Sequence, residues 1–115
     1  MTTFFIDTAG CPRVAAAGQG EVSEIVNEAL CGAKNVLAML RWLDPGQRFD
    51  AEARDDAYQL IYLMDGAAVI SLDDKEYEAA KGMGVYLEPN ETTALRQDGI
   101  GRLKLFHLVV PIRDE

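Results

Sequence analysis

The sequence predicts an all-β protein, either a sandwich or a barrel. Short segments rich in β-branched and aromatic residues are separated by turn signals at intervals of about 8–12 residues, which is typical of both architectures. A length of 115 residues suits one domain with one core. The chain contains no internal repeat, low-complexity tract or linker at which it could be divided.

The first third of the chain has the weakest pattern. Residues 8–20 are small and Gly-containing, so we interpret residues 1–20 as an N-terminal arm that precedes a single barrel domain at 21–115. Segment 21–33 could form an amphipathic helix. We favour a strand there, because two further strands would help to close the sheets.

From residue 36 onward the strands are clearer. The apolar run 36–43 contains good helix formers, but its short length and the Asp-Pro-Gly turn that follows favour a strand. Segment 58–64 ends at Asp65-Gly66, a dipeptide that predicts a hairpin into Ala67–Leu72. Further strands are predicted at 76–80, 85–87 and 103–110, with turns at 73–75, 81–84 and 89–90.

Charge and composition exclude several classes of partner. The chain has 19 acidic and 11 basic residues, a net charge of −8, which disfavours nucleic acid and anionic membrane surfaces. No apolar run approaches the roughly 18–20 residues of a membrane span. We therefore expect a cytoplasmic protein.

Cys11 and Cys31 have no disulfide or metal-binding context, and both are expected to be free thiols.

Two glycine-bounded motifs resemble those of the cupins, a family of small jelly-roll barrels. In the first, Gly46 is followed after five residues by Glu52, and then by Arg54, Gln59 and Gly66 at the family spacing. The second resembles the later cupin motif. Its members are Gly82, Pro89, Thr93 and Gln97. The resemblance extends from Leu43 to Pro111 and implies a cupin-like double-stranded β-helix, or jelly-roll barrel.

The same positions depart from the family in their chemistry. Cupins usually hold a metal with three His and one Glu, but here only Glu52 is an oxygen ligand of that kind. Arg54 cannot ligate a cation, and Gln59 and Thr93 are weak neutral donors. We expect no metal and no cofactor.

Strand alternation predicts which side chains enter the barrel. If Glu52 and Arg54 keep the inward direction of the family's ligands, they are neighbours on one face and can pair. On the next strand Gln59 shares that face with Ile61 and Leu63. The opposite face consists of Tyr58, Leu60, Tyr62 and Met64. Because that face is also apolar, another sheet, the N-terminal arm or a second subunit must cover it. The resemblance to cupins, among which dimers are common, favours a homodimer.

His107 is the only histidine of the chain. It shares its parity with Leu103, Leu105 and Val109, so it is expected to face inward. It is either a hydrogen-bonded core residue or a general acid/base.

Three functions remain open from the sequence. The first is binding of a small organic molecule, with an anionic group held by Arg54 and with Glu52, Gln59, Thr93 and His107 in the same pocket. The second is a metal-free isomerase, cyclase or lyase that uses Glu52 or His107 to move a proton. The third is an inert barrel that binds a protein partner.

Overall fold

The computed structural model describes residues 7–15, 19–27, 36–97 and 101–112. Its ten strands form two antiparallel sheets, preceded by a single 3-10 turn at Thr8–Gly10. The strands are β1 (Val14–Ala15), β2 (Glu21–Val26), β3 (Leu37–Leu43), β4 (Arg48–Ala51), β5 (Ala57–Asp65), β6 (Ala67–Leu72), β7 (Lys75–Ala80), β8 (Gly84–Leu87), β9 (Thr93–Gln97) and β10 (Leu103–Pro111). The larger sheet has the order β1-β2-β3-β10-β5-β8, and the smaller has the order β4-β9-β6-β7. The predicted all-β jelly roll is confirmed.

The core lies between the two sheets. Alternate residues of β5 and β10 are buried while their neighbours are more exposed, as the period of two requires. The larger sheet contributes Leu43, Ile61, Leu63, Val85, Leu87, Leu103 and Leu105, and the smaller contributes Phe49, Ala51, Ala68, Ile70, Ala79 and Leu95. The inward positions predicted for β5 and β10 are therefore confirmed.

The predicted hairpin at Asp65-Gly66 is wrong. β5 pairs with β8 and β10, whereas β6 pairs with β7 and β9, so the chain changes sheets at Gly66. Gly66 has a φ of 92°, and an added Cβ would lie 3.1 Å from the Cα of Leu103. Glycine is needed at this corner because the backbones of both sheets come close. The true tight hairpin joins β6 to β7, where Asp73 and Asp74 both have positive φ.

The N-terminal part of the chain extends the larger sheet beyond β3 and covers part of its outer face. β1 pairs with β2, and β2 pairs with β3, so the strand expected in 21–33 is present over Glu21–Val26. Cys11 packs against a cluster that includes Trp42, and the Arg13 guanidinium lies 3.8 Å from the Trp42 ring centroid. These contacts cover one side of that face. Cys31 lies outside the described residues.

β4 and β9 were not indicated by the sequence patterns. Both are short, and they pair with each other, with Phe49 opposite Leu95. β4 ends at Ala51, so Glu52 and Arg54 lie in the loop that follows and not on the strand.

Candidate functional site

A cavity of about 360 Å³ opens between the sheets where β4 ends. We call it the arginine cavity. Its charged and polar lining residues are Gln19, Arg41, Asp50, Glu52, Arg54, Gln59 and His107. Phe49 supplies an aromatic wall. A volume of this size suits a small organic molecule.

Arg41 is the residue of this site that the sequence patterns missed. It lies on β3 with the parity of Leu37, Met39 and Leu43, so its side chain enters the space between the sheets. Its guanidinium lies 3.9 Å from the Phe49 ring centroid. The sequence does contain an indication that Arg41 is special, because it is the single charged residue within the apolar run 36–43.

Arg41 and His107 share a hydrogen bond. Arg41 Nε donates to His107 Nδ1 at 3.2 Å. Because a guanidinium can only donate, Nδ1 must be unprotonated, and the proton of the neutral ring is on Nε2. Burial, then the charges of Arg41 and Arg54, lowers the pKa of His107 to about 3. The ring is therefore neutral at physiological pH.

The hydrogen bonds continue from His107 to the loop after β4. His107 Nε2 lies 2.8 Å from Gln59 Oε1 and donates a hydrogen bond to it. Gln59 Nε2 then donates to the backbone oxygen of Glu52 at 3.1 Å. The sequence prediction that Gln59 and His107 meet inside the barrel agrees with this geometry. Both ring nitrogens of His107 are occupied by protein groups.

Two guanidinium groups, those of Arg41 and Arg54, line this cavity and form no ion pair within the described part of the chain. Burial, then the charge of Arg54, lowers the pKa of Arg41 to about 10. Among the ion pairs of the described ranges, none involves Arg41 or Arg54. Asp50, at the rim, is already paired with Arg48. Arg41 is therefore the charged group deepest in the cavity, and Arg54, Asp50 and Glu52 lie exposed at its mouth.

Glu52 and Arg54 do not occupy the positions that alternation predicted. Both follow the last residue of β4, so the period of two no longer applies, and both side chains are exposed at the mouth of the cavity. The predicted Glu52–Arg54 pair is not among the ion pairs of the described residues.

Thr93 lies in a different cavity from the other predicted site residues. Its Oγ1 donates to the backbone oxygen of Ser71 at 2.8 Å. It lines a neighbouring open cavity of about 940 Å³, which shares Glu52 with the arginine cavity. Thr93 therefore lines the neighbouring cavity, and the two cavities share Asp50, Ala51 and Glu52.

The donor set does not fit the divalent metal that cupins usually hold. Neither ring nitrogen of His107 has a lone pair to offer, and Arg41 and Arg54 would repel a cation. No three His, Cys, Asp or Glu residues within the described ranges are grouped so that they could hold a metal ion.

In the same ranges there is no helix with the length and hydropathy needed to cross a membrane.

Comparison with solved structures supports the fold. A predicted oxalate decarboxylase from Thermotoga maritima superposes with a TM-score of 0.81 at 14% identity, covering 95% of this chain and all of that one. KdgF from Halomonas sp. gives 0.81 at 13% identity, covering 98% and 97% of the two chains. The polyketide cyclase RemF from Streptomyces resistomycificus gives 0.76 at 14%, covering 97% and 81%. At these identities the likeness concerns the fold alone.

Sequence comparison identifies the family. No curated protein matches the chain. The AraC-like ligand-binding domain matches residues 35–113, which include Arg41, Gln59 and His107 and every strand from β3 to β10. This small cupin-type chain belongs to the AraC-like ligand-binding domain family.

Proposed function

We propose that this chain binds a small organic anion in the arginine cavity, without a metal, in a binding or sensory role. The observation that supports this most directly is the pair of guanidinium groups, Arg41 and Arg54, that face the cavity without an acidic partner in the described ranges. Burial, and after it the charge of Arg54, lowers the pKa of Arg41, and an anion bound between the two groups would offset both effects. A carboxylate is suited to a guanidinium because both groups are planar and can bond bidentately.

The hydrogen bonds of His107 favour binding over proton transfer. A general base needs a free lone pair within reach of the substrate, and in this chain Nδ1 of His107 already accepts from Arg41. Glu52, exposed at the mouth of the cavity, is the remaining candidate for the enzymatic alternative. Turnover that is lost in Glu52→Gln but kept in His107→Asn would favour an enzyme over a binding domain.

Calorimetric titration with acetate, succinate, benzoate and inorganic phosphate tests the proposal. Benzamide serves as the neutral match for benzoate. We expect benzoate to bind and benzamide to bind at least about tenfold more weakly, because a charge-assisted hydrogen bond contributes about 1.5–3 kcal/mol. Equal affinity for the two molecules would contradict an anion site.

A matched pair of variants locates the site. Arg54→Gln removes an exposed guanidinium at the cavity, whereas Arg96→Gln removes an exposed guanidinium that is paired with Glu76 on the smaller sheet. We expect about a tenfold loss of benzoate affinity in the first variant and none in the second. Protein that has been treated with a chelator and then dialysed free of it should keep the wild-type affinity. Loss of binding after this treatment, restored by added metal, would refute metal independence.

We also propose that two copies of the chain associate through the outer face of β5, β8 and β10. Its exposed large apolar residues, here called the tyrosine face, are Tyr58, Tyr62, Met64, Tyr86 and Val110. By contrast, the outer face of the smaller sheet presents charged residues such as Glu76, Glu78 and Arg96. A largely apolar face allows two chains of net charge −8 to approach each other. The cytoplasmic location and the lack of a nucleic-acid partner stay predictions.

A further inference from the structure

Three uncharged side chains hold the guanidinium of Arg41 in its orientation. Its planar guanidinium lies against the ring of Phe49 on one side. Its Nε is held by His107, and its Nη2 lies 3.7 Å from the sulfur of Met39. No hydrogen bond of Nη1 to the described residues is present. Both N–H groups of Nη1 and the second N–H of Nη2 are therefore left to bind a ligand.

The direction of the His107 bond depends on Gln59. If the ring proton were on Nδ1, it would face the N–H of Arg41 Nε, and the two donors would repel each other. Gln59 prevents this because its own amide nitrogen donates to the Glu52 carbonyl, which turns its Oε1 toward His107 Nε2. A proton on Nε2 satisfies Gln59 and leaves Nδ1 as an acceptor.

We propose that His107 is a positioning residue for the bound anion: Gln59 holds it in the Nε2–H tautomer, and its Nδ1 holds Arg41 with one free edge toward the cavity. This inference rests on the proposed anion site. In this role His107 touches Arg41 and Gln59 rather than the ligand. Its contribution to affinity comes from ordering the arginine side chain before binding, because an unrestrained arginine loses rotamer freedom when it binds.

Two substitutions separate positioning from simple packing. His107→Asn places an amide oxygen near the position of Nδ1, so it can still accept from Arg41. His107→Leu fills a similar space and removes the acceptor. We expect benzoate affinity to fall about tenfold in His107→Leu and to stay within about threefold of wild type in His107→Asn. Equal losses in the two variants, or no loss in His107→Leu, would overturn the proposal. Arg96→Gln is the control.

The tautomer can be measured without a variant and without a ligand. Because the chain has one histidine, protein with ¹⁵N-labelled histidine and no affinity tag gives a single pair of ring-nitrogen signals. We expect an unprotonated Nδ1 and a protonated Nε2 at pH 7, and the same pattern at pH 5.5. A protonated Nδ1 or an averaged signal would overturn the proposal even if His107→Leu does not fold.

The two proposals fail in different ways. If no test anion binds to wild type while the nitrogen signals are as expected, the anion site is refuted and the bond between Arg41 and His107 remains as a structural contact. If benzoate binds through Arg54 while His107 has the other tautomer, the anion site stands and the positioning role is refuted.

Discussion

Arg41 and His107 are diagonal neighbours on the inner face of the larger sheet, 66 residues apart in sequence and joined by a 3.2 Å hydrogen bond. Arg41 lies opposite Leu105, and His107 lies opposite Met39. Strand pairing between β3 and β10 thus brings a permanent cation next to an imidazole that must stay neutral. The neutral state of His107 and the effect of the Arg41 charge on it can both be tested in solution.

The stability of the fold should fall in mild acid because of His107. Its folded pKa of about 3 lies below the value of 6.5 expected when unfolded. The unfolded chain therefore binds the proton more readily, and the stabilisation by the neutral ring, complete above about pH 6.5, is lost as the pH falls toward 3. Between pH 7.5 and pH 5, urea unfolding should show wild type losing about 2 kcal/mol more than His107→Asn. Parallel pH profiles would contradict this.

Removal of the neighbouring cation should change the titration of His107. In Arg41→Met the pKa of His107 should rise above about 3, because one of its lowering causes is removed. It should stay below 6.5, since burial is the largest cause and is unchanged. NMR titration of the single histidine measures the value. An unchanged pKa would mean that the two groups do not interact as the structure indicates.

Two glycines with positive φ should differ in their tolerance of alanine. At Gly46 nothing lies within 4 Å of an added Cβ, so Gly46→Ala should cost about 1–2 kcal/mol from the backbone conformation alone. At Gly20 the added Cβ would lie 1.9 Å from the backbone oxygen of Trp42. Gly20→Ala should therefore cost about 3 kcal/mol or more in denaturant unfolding. Similar costs at both positions would be inconsistent with the close approach of Gly20 to β3.

Self-association should depend on the tyrosine face. Tyr62 and Tyr77 are both exposed, at 40% and 50%, but they lie on different sheets. Light scattering should find a dimer for wild type and for Tyr77→Glu, and a monomer for Tyr62→Glu, because a buried unpaired carboxylate opposes association. A monomeric wild type, or a dimeric Tyr62→Glu, would refute the proposed interface.

The fold and part of the site were accessible from the sequence because strand residues alternate. Alternation alone places Gln59 and His107 inside, and the structure has both there. It could not place Glu52 or Arg54, because β4 ends one residue before Glu52 and nothing in the local sequence marks that end. Gly66 appeared to be a hairpin turn because a corner between sheets and a tight turn both require glycine.

Arg41 was missed for a different reason. The run 36–43 is predicted to be a strand, but both of its faces are apolar, so alternation within the run does not show that the face of Arg41 is the inner one. Its partners Phe49 and His107 lie on two other strands, so the long-range pairing of β3 with β10 had to be known before the cluster could be recognised.

Trp42 gives the protein an intrinsic fluorescent probe at this strand. It is the only tryptophan of the chain. It follows Arg41 directly, so its indole lies on the outer face of β3 while the arginine lies inside. The indole is stacked under Arg13 of the N-terminal segment. Its fluorescence therefore reports on the strand that forms one wall of the arginine cavity and on the segment that covers that strand, with no added dye.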